Sequence, residues 1–139
     1  MKIQRRKPSI IASSFIKYKD KFLLAYSPIF KVWRVPGGRV EFGEKLKETL
    51  SREIKEELKI NITEPIFLGY GEDNQYNYNL KHDTSRLVMY FLVNTKKPIS
   101  LDKNEFSKYK WLTWSELKKH KNKEDSLRDF FSKNPNINL

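Results

Sequence analysis

The first forty residues have the alternating and continuous apolar patterns of β-strands. Two apolar, β-prone runs at residues 9–17 and 22–26 flank a polar turn, which predicts a β-hairpin. Residues 31–35 alternate between polar and apolar side chains and predict a short third strand. Residues 36–38, Pro-Gly-Gly, predict a glycine turn that ends this strand.

The apolar period becomes helical between residues 44 and 59. Leu46, Leu50, Ile54 and Leu58 recur every four residues, and strong helix-forming residues separate them. An apolar stripe of this kind runs along one side of a helix and packs against a core. We therefore predict a helix over residues 44–59 that lies against a sheet.

The middle of the chain predicts two strands separated by a long polar segment. Residues 62–70 contain a short apolar run and predict a strand, whereas the polar residues 71–83 predict a loop or a hairpin tip. Residues 86–94 form the most continuously apolar run, which is typical of a central strand. The charged residues 95–107 predict a loop.

The last part of the chain predicts one more strand and two helices. Residues 108–113 alternate as a strand, and Thr113 or Ser115 is a suitable N-cap for a short helix at residues 114–120. Apolar residues within 127–131 predict a terminal helix that packs on the sheet.

Length and composition indicate one soluble globular domain over residues 1–139. At 38% hydrophobic and 14% aromatic residues, the chain has enough apolar side chains for a single core. It contains no cysteine, which excludes disulfides and thiolate metal sites. Any bound metal must then be held by oxygen or by the two histidines, which favours a hard ion such as magnesium.

The N-terminal stretch predicts neither secretion nor membrane insertion. Its basic start is followed by an apolar run that soon meets Lys17 and Lys19, too short for a signal peptide or a membrane span. We therefore expect a cytoplasmic protein with no membrane partner.

The net charge of +11 suggests an anionic partner without specifying one. Such a field attracts phosphate-bearing molecules, including nucleic acid. The basic residues are spread along the chain instead of forming one block, so a solvated lysine-rich surface is the preferred explanation for them. Binding of nucleic acid is thus compatible with the composition but is not favoured by it.

Three carboxylates occupy one turn of the predicted helix. With Leu46 at zero on a helical wheel, Glu57 falls at roughly 20° and Glu53 at roughly −20°, both beside the apolar stripe, while Glu56 falls at roughly −80°. Like charges at this spacing repel, so a cation must compensate them. A magnesium ion bound through oxygen is one such cation, and a solvated acidic helix face is the plainer alternative.

The residues around this turn resemble the Nudix box of the Nudix hydrolases. The match comprises Gly38, Glu44, Arg52, Glu53, Ile54, Glu56, Glu57 and Ile60. One residue departs from the box, because Lys59 replaces the glycine usual before the final apolar position, which alters the helix exit and not the carboxylates. The segments at residues 33–38 and 106–117 also resemble the family, so the likeness covers nearly the whole chain.

The resemblance implies a fold, an activity and a metal. Its members have an α/β/α sandwich around a mixed β-sheet and hydrolyse nucleoside diphosphates linked to another group. They use Mg²⁺ or Mn²⁺, and many are dimers, so a homodimer is compatible with the resemblance.

The resemblance also implies roles for single residues. Glu53, Glu56 and Glu57 would bind the metal with the backbone carbonyl of Gly38 close by, and these ligands would be oriented by Arg52 and Glu44. The general base would be Glu53 or Glu56 in the box, or Glu105 in a later loop, where an ordinary exposed acid is an equally good interpretation.

The substrate is the least determined feature of the sequence. Phe30, Tyr76 and Tyr78, or Trp33, could stack on a nucleobase, and Arg34 could bind a phosphate. We expect a nucleoside triphosphate or its deoxy form. The alternatives are ADP-ribose or a nucleotide sugar, and, in a different class, a protein that binds or trims RNA 5′ ends.

Overall fold

The computed structural model describes residues 7–96 and 108–139. These residues form seven strands and three helices. The strands are β1 (Ser9–Tyr18), β2 (Lys21–Ser27), β3 (Val32–Arg34), β4 (Gly37–Arg39), β5 (Ile66–Asn77), β6 (His82–Asn94) and β7 (Lys108–Leu112); the helices are α1 (Leu46–Leu58), α2 (Trp114–Lys119) and α3 (Asp125–Lys133).

All seven strands belong to one mixed sheet. Its central order is β3-β2-β1-β6-β5, with β4 paired to β1 and β7 paired to β2. The β1–β6 pairing is parallel, and the other pairings are antiparallel. The predicted β1–β2 hairpin is present, and β6, predicted as a central strand, lies inside the sheet between β1 and β5.

Two apolar clusters lie on opposite faces of the sheet and make the predicted α/β/α sandwich. On one face, Leu50, Ile54 and Leu58 of α1 pack with residues of β1, β2 and β6. On the other face, residues of α2 and α3, including Leu117 and Phe130, pack against the opposite side chains of the same strands. Successive residues of a strand point to opposite faces of the sheet, so the same strands contribute side chains to both clusters.

The helix and strand bounds agree with the sequence pattern at most positions. Helix α1 begins at Leu46, two residues after the predicted start, and α2 begins after Thr113, whose side chain accepts a hydrogen bond from Glu116 N and forms a capping box. Among the described residues no helix combines the length and apolar character needed to cross a membrane.

The prediction of a loop over residues 71–83 was wrong for most of that segment. Strand β5 continues to Asn77, β6 begins at His82, and only residues 78–81 form the hairpin tip. Each residue from Gly71 to Asn77 pairs with one in β6. This pairing satisfies the polar backbone, so the strand forms in spite of its polar side chains.

The predicted glycine turn is a short strand. Gly37–Arg39 forms β4 and pairs antiparallel with β1, with Gly38 opposite Ala12. A Cβ atom on Gly37 would lie 2.2 Å from the Ala12 carbonyl oxygen. Glycine is therefore required here by the close approach of two backbones.

The helix exit differs from the usual glycine exit only in residue type. Lys59, which follows α1, has φ 59° and ψ 32°, the left-handed conformation that glycine adopts most easily. Its backbone N–H donates to Lys55 O at 3.0 Å. The chain leaves α1 as it would with glycine, at the expense of some backbone strain.

Candidate active site

An open cleft of about 400 Å³ lies between α1, β4 and the β5–β6 hairpin. Glu53 and Glu56 of α1 and the β4 backbone line one part of it, and Phe30, Thr84 and Arg86 line another. The remaining lining residues are Ser9, Ile11, Ser13, Ile29, Arg34, Gly37, Gly38, Arg39, Asn77 and Glu124. The cleft therefore contains two carboxylates from the predicted acidic turn and several cationic side chains.

Arg52 connects the carboxylates at the α1 side of the cleft. Its Nε donates to Glu44 Oε2 at 2.7 Å and its Nη2 to Glu44 Oε1 at 2.9 Å, a bidentate pair. Its Nη1 donates to Glu53 Oε1 at 2.8 Å and lies 3.7 Å from Glu56 Oε2. One guanidinium thus holds Glu53 in place and faces Glu56.

The Glu44 carboxylate binds Nε and Nη2 of Arg52, which leaves Nη1 for Glu53. The Arg52 guanidinium and the backbone N–H of Glu41 lower the Glu44 pKa from 4.5 to about 2, and Thr49 Oγ1 also donates to its carboxylate at 2.9 Å. The hydrogen bond to Glu44 in turn raises the pKa of Arg52. The pair is therefore ionised throughout the physiological range, and Arg52 donates a further hydrogen bond to Glu53.

Gly38 brings backbone against the Glu53 carboxylate. A Cβ atom at this position would lie 2.2 Å from Glu53 Cδ and 2.4 Å from Glu53 Oε1. The absence of a side chain therefore leaves room for the carboxylate beside the β4 backbone.

Glu57 lies deeper than the other two glutamates. It is 3% exposed and does not line the cleft, in agreement with its predicted place beside the apolar stripe. Its Oε2 is 3.9 Å from Nη2 of Arg34, which is 8% exposed and donates from Nη2 to Gly37 O at 2.7 Å. Glu57 and Arg34 thus form a buried charged pair behind the β4 backbone.

A buried polar network that the sequence pattern did not reveal forms another part of the cleft. Arg86 donates from Nε to Asp73 Oδ1 at 2.9 Å and from Nη2 to Glu124 Oε2 at 3.0 Å. The Phe30 ring lies 5.1 Å from Cζ of Arg86. The two acids raise the Arg86 pKa against the opposing effect of its burial. These residues come from distant segments, so no spacing in the sequence joins them.

The other predicted substrate residues fall in different places. Phe30 and Arg34 line the cleft. Tyr76 and Tyr78 do not; their rings contact each other at the hairpin tip with centroids 4.8 Å apart, and Lys31 Nζ lies 4.1 Å from the Tyr78 ring centre. Glu105, a candidate general base, lies outside the described residues.

The acidic turn fits a divalent cation in donor type. All its donors are oxygens, and Glu53 and Glu56 already face one common cation, the Arg52 guanidinium. Within residues 7–96 and 108–139, no three Asp, Glu or His side chains are arranged to enclose a metal ion. A metal here would draw its ligands from reoriented carboxylates, backbone oxygen and water.

Comparison with known proteins agrees with these features. An RNA pyrophosphohydrolase of Nitratiruptor sp. is 29% identical over 130 residues, covering 84% of each chain, and an RNA pyrophosphohydrolase of Campylobacter jejuni is 26% identical over 119 residues, covering 78% of this chain and 76% of its own. Among solved structures, the MutT protein of Methanosarcina mazei superposes with a TM-score of 0.77 at 24% identity, covering 94% of this chain and 95% of that one. The MutT NUDIX hydrolase of Burkholderia pseudomallei has a TM-score of 0.75 at 17% identity, covering 91% and 98%. The NUDIX domain profile matches residues 8–133, and the chain belongs to the Nudix hydrolase family.

Proposed function

We propose that this Nudix hydrolase cleaves a pyrophosphate linkage in a nucleotide with a 5′-triphosphate, using Mg²⁺ or, as a substitute, Mn²⁺. The observation that supports this most is the convergence of Glu53 and Glu56 on Arg52, beside the Gly38 backbone, in a cleft that also contains cationic residues. Nudix hydrolases generally use a divalent metal, and a carboxylate turn of this kind is the chain's best place for one.

Glu53, Glu56 and Glu57 have different roles in the proposed reaction. Glu53 and Glu56 would bind the metal from the cleft, and Glu57 would contribute negative charge from beneath them, with the Gly38 carbonyl nearby. When bound, the metal polarises phosphoryl oxygens and lowers the pKa of a bound water. Arg52 and Glu44 keep the carboxylates oriented.

A carboxylate must accept the proton of the attacking water. Glu53 and Glu56 both line the cleft, and Glu105 is a third candidate from outside the described residues. Of the two cleft residues, Glu53 is committed to Arg52 at 2.8 Å, whereas Glu56 Oε2 is 3.7 Å from the same atom. Glu56 is therefore freer to accept a proton, and we propose it as the first candidate for the general base.

The first candidate substrate is a nucleoside triphosphate or its deoxy form. Phe30 offers an apolar ring to the base, and the exposed Arg39 offers a guanidinium to the phosphates. The second candidate is the triphosphate at the 5′ end of RNA. It is favoured by the names of the Nitratiruptor and Campylobacter relatives, and the net charge of +11 is compatible with it.

A substrate screen tests this proposal. Purified protein with Mg²⁺ would be incubated with nucleoside and deoxynucleoside triphosphates, 5′-triphosphate RNA, ADP-ribose, nucleotide sugars and dinucleoside polyphosphates. All products would be separated by chromatography, so that nucleotides and sugar phosphates are measured as well as phosphate and pyrophosphate. We expect turnover of a triphosphate substrate that stops on addition of a chelator. The variant Glu53→Gln/Glu56→Gln serves as the inactive control.

The screen separates the alternatives clearly. If only ADP-ribose or a nucleotide sugar is hydrolysed, that compound is the substrate in place of a triphosphate. The reaction would still be pyrophosphate hydrolysis. If nothing in the screen is hydrolysed with Mg²⁺ or Mn²⁺, the proposed function is wrong.

A further inference from the structure

An apolar groove of about 380 Å³ lies beside the first turn of α1. Its walls are apolar side chains from α1, β5 and β6, namely Leu46, Phe67, Met89 and Phe91. The Phe67 ring contacts Phe91 with centroids 5.4 Å apart and is still 50% exposed. Among the described residues, none lines both this groove and the catalytic cleft. The groove is therefore a separate surface that leaves apolar side chains open to water.

Phe42 projects into water from the loop just before α1, where its side chain is fully exposed. Two hydrogen bonds close the turn that carries it. Glu44 N donates to Glu41 O at 3.0 Å, and Glu41 N donates to Glu44 Oε1 at 2.9 Å. Gly43 follows with φ 87°, a conformation that glycine adopts easily. The turn thus presents the Phe42 ring in a fixed position, as a preorganised apolar anchor for a partner.

Phe42 and the groove lie close together on the surface. Lys45 lines the groove and follows Phe42 by three residues, so their Cα atoms are at most about 11 Å apart. An apolar cavity of about 150 Å³ can hold a benzene ring, so the groove has room for the ring of a phenylalanine. A two-fold interface requires that one surface present both complementary parts, because each copy gives what the other receives. Phe42 and the groove meet this requirement.

The charges beside the anchor and the groove are complementary. Glu41, next to Phe42, is exposed. Lys45 and Lys47 line the groove and are also exposed. Glu48 lines it too, but its Oε1 accepts a hydrogen bond from Lys45 N at 3.1 Å and is engaged at the start of α1. The groove therefore offers positive charge to a partner whose apolar anchor is flanked by an acid.

We propose that two copies of this chain associate about a two-fold axis, with Phe42 of each copy inserted into the groove of the other and Glu41 of each facing Lys47 of the other. A second copy supplies the anchor and the opposite charge together, and the same contact covers both exposed rings. An unrelated protein would leave Phe42 or the groove uncovered. The contact centres on few side chains and falls near the lower end of the roughly 1,200–2,000 Å² of specific interfaces, so we expect a reversible dimer with Kd on the order of 10 μM.

Sedimentation velocity of the full chain tests this proposal without any substrate. Between about 1 and 300 μM protein, the average mass should rise from that of a monomer towards that of a dimer. Phe42→Ser should raise Kd at least about tenfold and leave thermal stability unchanged, because the ring is fully exposed. Leu80→Ser, at a side chain 55% exposed in the hairpin tip, is the matched apolar control and should leave Kd unchanged. A chain that stays monomeric, or a Phe42→Ser dimer as tight as the wild type, overturns the proposal.

A mixing experiment tests which charges face each other across the interface. Glu41→Lys and Lys47→Glu alone should each raise Kd about threefold or more, because both contacts of the dimer then bring like charges together. In an equimolar mixture of the two variants, both contacts between unlike copies are attractive, so the mixed dimer should form about as tightly as the wild type. Lys119→Glu, at an exposed lysine on α2, is the matched charge control. A mixture that associates no better than its separate components overturns the proposed pairing of Glu41 with Lys47 and with it this dimer.

Discussion

Arg52 binds Glu44 through two parallel hydrogen bonds, from Nε at 2.7 Å and from Nη2 at 2.9 Å, and uses its remaining amino group on Glu53 at 2.8 Å. The planar guanidinium can make this double contact, and a lysine ammonium cannot. Glu44 lies before α1 and Glu53 lies within it, so Arg52 connects the segment before the helix to a residue that lines the cleft. The orientation of Glu53 depends on a residue that does not itself line the cleft.

Arg52→Lys should impair catalysis more than stability. Because the bidentate pair is lost while the charge remains, we expect kcat to fall about 10- to 100-fold and the Mg²⁺ concentration for half-maximal activity to rise. The free energy of unfolding should fall by only about 1 kcal/mol, since the pair is partly exposed. Arg128→Lys, at an exposed pair on α3, is the control. Unchanged metal dependence in Arg52→Lys would contradict the positioning role.

The Glu44 carboxylate should stabilise the fold in a defined pH range. Its pKa is lowered from 4.5 in the unfolded chain to about 2 in the folded protein, chiefly by Arg52. The stabilisation is therefore fully present above about pH 4.5 and is lost as the pH falls towards 2. Urea unfolding of wild type and Glu44→Gln at several pH values checks this. The difference between them should be constant near neutrality and shrink below pH 4.5; a constant difference down to pH 2 would contradict it.

Alanine at Gly37 should lower stability, whereas alanine at Gly38 should lower activity. In Gly37→Ala the new Cβ meets the Ala12 carbonyl oxygen and the Ser13 backbone, which cannot move freely, so we expect a loss of about 1–3 kcal/mol in unfolding free energy. In Gly38→Ala the three atoms nearest to the new Cβ all belong to the Glu53 side chain, which can turn away. That variant should remain near wild type in thermal stability and lose activity. Thermal unfolding and kcat/KM measured on both proteins distinguish the two outcomes.

Glycine at position 59 should stabilise the protein. Lys59 occupies the left-handed conformation, which is unfavourable for an L-residue by about 1–2 kcal/mol. Lys59→Gly relieves this and loses one exposed hydrogen bond from Nζ to Glu56 O, so we expect a net gain of about 0.5–1 kcal/mol in urea unfolding. Lys59→Ala keeps the strain and loses the same bond. If it gains as much as the glycine variant, backbone strain is not the cause.

Glu57→Gln should abolish turnover without unfolding the chain. The change removes one negative charge beneath the cleft and keeps the shape of the side chain. We expect kcat to fall at least about 100-fold and the unfolding free energy to fall about 1–3 kcal/mol, because Arg34 loses its buried anionic partner. Circular dichroism checks the fold, and the exposed acid variant Glu64→Gln is the control. Near-normal turnover in Glu57→Gln would show that Glu57 does not contribute to the metal site.

Local patterns in the sequence predicted the elements that carry the acidic turn. The four-residue apolar period of α1, the apolar, β-prone runs of β1 and β2 and the alternation of β7 follow from the geometry of each single element. The structure has these elements close to their predicted places. The helical wheel also placed Glu57 beside the apolar stripe, and its burial confirms that prediction. Periodicity decides which side of an element is buried, whatever the partner.

Features that depend on pairing between distant segments were missed. The polar residues of β5 beyond Tyr70 form strand only because β6 supplies their hydrogen-bond partners. Arg86, Asp73 and Glu124 meet through the same pairing and the return of the chain before α3. Neither relationship leaves a periodic signal, since polar side chains in these segments are equally compatible with a loop.

The sequence by itself determined the composition of the acidic turn, its seat on an amphipathic helix and the likeness to a hydrolase family, because these depend on spacings within about twenty residues. Only the tertiary structure decided which charges are already neutralised. It pairs Arg52 with Glu44 and Arg86 with Asp73, and it leaves Lys7 and Arg39 available beside the cleft. Charge pairing is a matter of distance in space, and chain packing alone sets that distance.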